Sequence, residues 1–298
     1  MATLVAEQPA TARQATGSEP FRYCLNTSTL RGQKLSLVEE IEIAARAGYQ
    51  GIEPWIEEID RYVQGGGSLR ELKQRISDNG LTMVSAIGFP EWIVDDDARR
   101  AKGMEEARRC MEMVQQLGGK HIAAPAAGAT DQKDLNLLKA AERYRALLEL
   151  GERFGVIPMV EVWGFSQTLR RLGEATLVAI ESNHPQACIL PDIYHLYRGG
   201  SDYNGLKLLR GAAIPVFHVN DFPSNPPREQ LTDADRVYPG DGVAPLTMIF
   251  RDLTAIGFTG ALSLELFNKE YWKQDALTVA KTGLEKTRAA VRKSIGGL

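Results

Sequence analysis

Met159-Val160-Glu161-Val162-Trp163 is a short apolar run built around a carboxylate. Three later runs repeat its form: Cys188-Ile189-Leu190-Pro191-Asp192, Pro215-Val216-Phe217-His218-Val219 and Leu262-Ser263-Leu264-Glu265-Leu266. Each has the length and apolar continuity of a strand buried on both faces, the mark of a parallel sheet. Helix-patterned stretches separate them. In a parallel α/β barrel, residues at the C-terminal ends of successive strands converge on one mouth. Two Glu, one Asp and one His meeting there would form an oxygen-rich cation site, so Glu161, Asp192, His218 and Glu265 are the expected metal ligands.

The first half of the chain extends the same alternation. Strand-like runs occur at 21–26, 51–55, 82–87 and 121–124. Helical periodicity covers 36–47, 69–79, 97–117 and 134–154, each closed by glycine, then 167–181, 246–256 and 275–292. Eight strands alternating with helices predict a single (β/α)8 TIM barrel over 21–298, the number that closes a barrel. A doubly wound open sheet would carry a glycine-rich phosphate turn after its first strand. Here that turn reads Thr27-Ser28-Thr29-Leu30-Arg31-Gly32. Residues 1–20, rich in Ala, Thr, Gln, Gly and Pro, are expected to form a flexible, disordered N-terminal tail. The proline-rich stretch 221–242 reads as a long active-site loop.

Composition narrows the function. Thirty-five Lys and Arg against 38 Asp and Glu give a net charge of −3, with no basic block of the kind that nucleic acid requires. No apolar run approaches the ~18 residues of a membrane span. Three cysteines without paired spacing fit a reducing compartment. A cytoplasmic enzyme acting on a small molecule is the expectation, with neither nucleic acid nor membrane as partner.

Three carboxylates with one imidazole and no thiolate suit Mn²⁺ best, with Mg²⁺, Co²⁺ or Zn²⁺ as substitutes. A metal on a carbonyl and a neighbouring hydroxyl acidifies the adjacent C–H, and a carboxylate then removes that proton. Glu161 and Glu265 are the candidate catalytic acid and base. Return of the proton to the opposite face gives epimerisation, and return to the next carbon gives aldose–ketose isomerisation. Loss of a β-substituent gives elimination. The ligand set alone leaves all three open.

Five motifs resemble the xylose isomerase-like barrel superfamily, in its sugar isomerase and epimerase branch. They are Glu161-Val-Trp-Gly, Pro191-Asp192-Ile-Tyr-His195, Phe-His218-Val-Asn-Asp221, Arg236-Val-Tyr-Pro-Gly-Asp-Gly and Ser-Leu-Glu265. The resemblance implies that Glu161, Asp192, His218 and Glu265 bind one divalent metal and that the two glutamates move protons. It also implies that His195 and Arg236 hold substrate oxygens. Related enzymes are often dimers or tetramers, which leaves a homo-oligomer open. The leading expectation is an isomerase or 3-epimerase of a ketose or keto-sugar. The alternative is a lyase or dehydratase acting on a keto-inositol or 3-keto-glycoside. The DNA-repair branch uses three zinc ions and many histidines, whereas this chain has four His.

Further candidates follow from position. Trp163 is placed to stack on a sugar face, with Trp55, Phe89, Trp92 and Phe165 as possible pocket walls. Glu53, near the end of the second strand, is a candidate substrate contact. Asp221 is expected to anchor its loop or orient His218. His121 is expected at the bottom of the barrel and His184 at the surface.

Overall fold

Alternation of side chains along eight short strands organises the molecule. The structure, a computed structural model, describes residues 21–296; the expected tail lies outside them. The strands are β1 (Arg22–Asn26), β2 (Gly51–Glu53), β3 (Thr82–Met83), β4 (His121–Ala124), β5 (Ile157–Glu161), β6 (Ile189–Leu190), β7 (Val216–Val219) and β8 (Ala261–Leu264). Around them lie α1 (Leu37–Ala47), α2 (Ile56–Gln64), α3 (Leu69–Asp78), α4 (Asp97–Gln116), α5 (Leu137–Glu152), α6 (Leu172–Glu181), α7 (Ile193–Gly199), α8 (Leu246–Ala255) and α9 (Ala276–Ile295).

All pairings are parallel, in the orders β3-β2-β1-β8-β7 and β4-β5-β6. Backbone bonds bridge both seams. Ala123 N donates to Ala86 O at 2.9 Å, and His218 N donates to Pro191 O at 3.0 Å. The ring is therefore continuous, as the eightfold alternation predicts.

Successive strand residues face opposite ways. Val160, Ile189, Phe217, Leu262 and Leu264 point outward into the main core between sheet and helices. Ile87, Ala123, Met159, Cys188, Leu190 and Val216 form a separate apolar cluster, the floor inside the barrel. One period of two further along the chain lie Glu161, Asp192 and His218. The floor therefore sets the height of the polar layer above it.

Helix boundaries follow local chemistry. Ser36 and Glu39 form a capping box at the start of α1, and Gly48 ends it in the left-handed region at φ 97°. Asp192 caps α7 by accepting from His195 N at 2.8 Å. Two of the helices, α2 and α7, lie where sequence periodicity gave none. The helix expected over 167–181 begins only at Leu172. Residues 163–170 instead form a loop, with Trp163 N bonded to Leu169 O and Gln167 N to Thr130 O. His121 does begin β4, at the end of the barrel away from the mouth. His184 corrects its expectation: its side chain is only 5% exposed and lies 3.3 Å from Glu152. No described helix is long and apolar enough to cross a membrane.

Candidate metal centre

Asp192, His218 and Glu265 each offer one ligand atom, and these atoms lie within 4.8 Å of one another. All three residues are buried. They reach one point because β6, β7 and β8 are adjacent and in register: Asp192 bridges His218, and His218 pairs with Ser263, two residues before Glu265.

His218 Nε2 lies 3.0 Å from Glu53 Oε2. With Nε2–H donating to that carboxylate, Nδ1 faces Glu265 Oε2 at 3.3 Å and Asp192 Oδ2 at 3.7 Å, where a bound cation would take the place of its proton. Nδ1 has no hydrogen-bond partner. A carboxylate behind one imidazole nitrogen commonly fixes a metal-binding histidine. Burial pushes the His218 imidazole down, but Glu265 and Glu53 outweigh it and hold it above its ordinary range.

Arg236 enters from the loop after β7. Its Nη1 donates to Asp192 Oδ2 at 3.0 Å and to Glu265 Oε2 at 2.8 Å. Its Nη2 lies 2.5 Å from Asp233 Oδ1 and 3.0 Å from His195 Nε2. Only 1% of Arg236 is exposed. Asp221 holds this loop: its carboxylate accepts from the backbone N–H groups of Phe222, Gly240, Gly242 and Ala244. The expected anchoring role of Asp221 is thus seen in its contacts.

Glu161, at the end of β5, is buried, and its Oε2 has no hydrogen-bond partner. It stands outside the three-residue cluster. Burial raises its carboxyl well above the usual range; His218 opposes this, while Glu265, Asp192 and Glu53 add to it. Burial alone would raise Glu265 too, but His218 and Arg236 reverse the sign and keep it ionised. His195, 2% exposed, is held neutral by burial and by Arg236.

Glu53, Glu161, Asp192 and Glu265 therefore share one guanidinium and one imidazole in a buried space. Uncompensated buried carboxylates are costly. With an orphaned imidazole nitrogen and an orphaned carboxylate oxygen beside them, these donors fit a hard divalent cation.

An arc of aromatic rings lines the mouth above. Phe267, Trp55, Phe89, Trp163 and Phe165 follow one another with centroid separations of 6.0, 5.2, 5.8 and 4.8 Å. Phe165 then lies 5.8 Å from His195. Trp92 is not part of this wall: it is fully buried beside Tyr144 and donates to Pro125 O.

The family described as xylose isomerase-like TIM barrel matches residues 41–290. The chain belongs to that family. An inosose isomerase of Bacillus velezensis is 27% identical over 278 residues, 92% of this chain and 98% of that protein. A 3-dehydroshikimate dehydratase of Pseudomonas aeruginosa is 25% identical over 274 residues, 85% of this chain but 40% of that protein. A solved structure described as IOLI protein with a binding zinc atom has a TM-score of 0.84 at 23% identity. It covers 92% of this chain and 99% of that one, a likeness of fold.

Within this family barrel, the structure brings Glu53, Glu161, Asp192, His195, His218, Arg236 and Glu265 to one buried layer and Trp163 to its rim. Glu53, expected as a substrate contact, has a partner within the protein. It is fully buried, with Oε2 behind His218 as an imidazole partner and Oε1 without a hydrogen-bond partner. Sequence reading also passed over Asn26, Asn220 and Ser263. Asn220 Nδ2 donates to Asp192 Oδ2 at 3.0 Å, and Ser263 Oγ donates to Glu53 Oε2 at 2.7 Å. Each is the polar inward residue of its strand, a signal that counting by twos from Cys24, His218 or Glu265 would have shown.

Proposed function

We propose that this protein is a divalent-metal-dependent isomerase or 3-epimerase of a ketose or cyclic keto-sugar, with Glu161 and Glu265 exchanging the proton. The observation that carries this reading is the convergence of Asp192, His218 and Glu265 within 4.8 Å, His218 Nδ1 having no partner. Glu161 is the proposed fourth donor. Mn²⁺ suits this donor set best, and Mg²⁺, Co²⁺ and Zn²⁺ accept the same atoms. A cation there would act as a Lewis acid on the substrate carbonyl and acidify the neighbouring C–H.

The chain's own groups do the rest. Glu161 and Glu265 come from β5 and β8, with two strands between them, so they approach a bound substrate from separate sides. One takes the proton from carbon as general base and the other returns one. Arg236, fixed by Asp233 and His195, places a guanidinium where negative charge develops on the substrate oxygen. Trp163 and its aromatic neighbours offer flat apolar surface to a ring face and keep water from the reacting carbon. The resemblance to inosose isomerase points to a six-membered keto-polyol as the first substrate to try.

A lyase is the second reading, supported by the dehydratase relative. It uses the same proton abstraction and differs only in expelling a β-substituent. Proton NMR in D₂O separates the two, using Mg²⁺-loaded protein with keto-inositols, ketoses and 3-keto-glucosides. A new epimer or isomer carrying deuterium at the reacting carbon is the expected result. Loss of water or aglycone to an unsaturated ketone would favour the lyase, and no conversion of any compound would overturn both.

A further inference from the structure

We propose that Asn26 is the positioning residue of this centre: one amide sets the orientation of Glu265 and Glu53 and ties the aromatic wall to them. The inference rests on the metal-dependent reading above and assigns a role to a residue outside the ligand set.

Asn26 ends β1 and is fully buried. Its register neighbours explain its reach. It pairs with Glu53 on one side, and Leu25 pairs with Leu264 on the other, which brings Asn26 beside Glu265. Its Nδ2 donates to Glu53 Oε2 at 2.9 Å and to Glu265 Oε1 at 3.2 Å. Its Oδ1 accepts from the Trp55 indole Nε1 and from Ser28 N, both at 3.0 Å. Two N–H donors and two lone pairs are all that an amide has, and all four are used.

The consequence for Glu265 is geometric. Asn26 occupies Oε1, while Oε2 faces His218 Nδ1 and Arg236. The carboxylate plane is thus fixed with one oxygen committed to the cluster. The consequence for His218 is indirect. Glu53 Oε2 gathers Asn26 Nδ2, Ser263 Oγ and His218 Nε2, so the amide helps hold the carboxylate that orients the imidazole. On its acceptor side, Asn26 fixes Trp55, whose ring lies against Phe89 and Phe267. The donor side serves the reacting groups and the acceptor side serves the wall.

Asn26→Asp separates the two functions. It keeps an oxygen for Trp55 and Ser28, but it replaces the shared donor with a third carboxylate facing Glu53 and Glu265. Trp55→Phe does the reverse, removing the indole N–H and part of the ring while leaving Asn26 Nδ2 its two acceptors. For Asn26→Asp we expect kcat to fall by about 10–100-fold, the usual cost of disturbing groups behind a metal site, with KM within about threefold of the parent value. For Trp55→Phe, a change in the wall that receives the substrate, we expect KM to rise about fivefold, as for loss of one hydrogen bond.

The visible absorption spectrum of the Co²⁺-loaded proteins gives a readout independent of turnover. It should shift in Asn26→Asp and not in Trp55→Phe. A parent-like kcat together with a parent-like spectrum in Asn26→Asp would overturn the proposal. So would a loss of activity explained by a smaller folded fraction, with each remaining Co²⁺ site normal in spectrum and rate. If Asn26→Asp does not fold, Asn26→Ser retains a single donor and should show the same spectral shift with a smaller fall in kcat; no shift there also overturns it. If the parent protein converts no substrate, the functional reading fails. The Co²⁺ spectra then decide Asn26 alone.

Discussion

Glu53 shows how far a single position can be read in a sequence. Its place near the end of a strand was legible, and so was its approach to the mouth. Its partner was not, because that depends on which strand closes against which. Once β2, β1, β8 and β7 are neighbours, Glu53 meets His218 across the barrel at 3.0 Å, a contact that places it to orient an imidazole. Glu53→Gln should weaken divalent metal binding by about 10–100-fold. Calorimetric titration checks this, and an unchanged affinity would return Glu53 to the substrate side. Glu265→Gln should abolish turnover in protein kept loaded by excess metal, because the amide cannot accept the proton. Near-normal rates measured by the NMR assay would remove Glu265 from the acid–base pair.

Strands and helices were legible to different degrees. The four quoted runs each carry their key residue at the expected strand end, since buried parallel strands write continuous apolar sequence. The helices α2 and α7 escaped notice because they are short and follow directly on strand ends. Ile56 and Ile193 open their helices within three residues of a strand end, and Ile193–Gly199 spans two turns fixed by its Asp192 cap. The loop after β7 was legible as a loop but not as a scaffold. Its shape depends on Asp221, whose carboxylate collects four backbone N–H groups. Asp221→Ala leaves those donors unpaired, which costs about 1–3 kcal/mol for a buried group. It also frees the segment that carries Arg236. Urea unfolding should show the lost stability and kinetics a lower kcat. Parent-like values in both would show that the loop holds itself.

Behavior of the folded chain as a unit follows from its buried charge. Away from the mouth, Glu40 of α1 is buried at 2% exposure with an unpartnered Oε2. Burial, then Glu58, pushes its carboxyl up to about 9, against the pull of Arg61 and Arg31. A folded value above the unfolded one of 4.5 means that this group's contribution to stability is complete below pH 4.5. It is lost as pH rises toward about 9. Glu40→Gln should therefore unfold at higher urea than the parent at pH 8.5, with the difference shrinking toward pH 5. Equal midpoints at both pH values would mean that Glu40 ionises freely in the folded protein.

Burial of four carboxyl groups around one guanidinium and one imidazole makes the same argument for the barrel mouth, where a cation should stabilise the whole domain by mass action. Calorimetric titration of Mn²⁺ into metal-stripped parent protein and into His218→Ala tests this. One ion per chain in the parent and none detectable in His218→Ala is the expected result. Binding of equal affinity in both proteins, or no binding to the parent, would contradict a metal centre built on Asp192, His218 and Glu265.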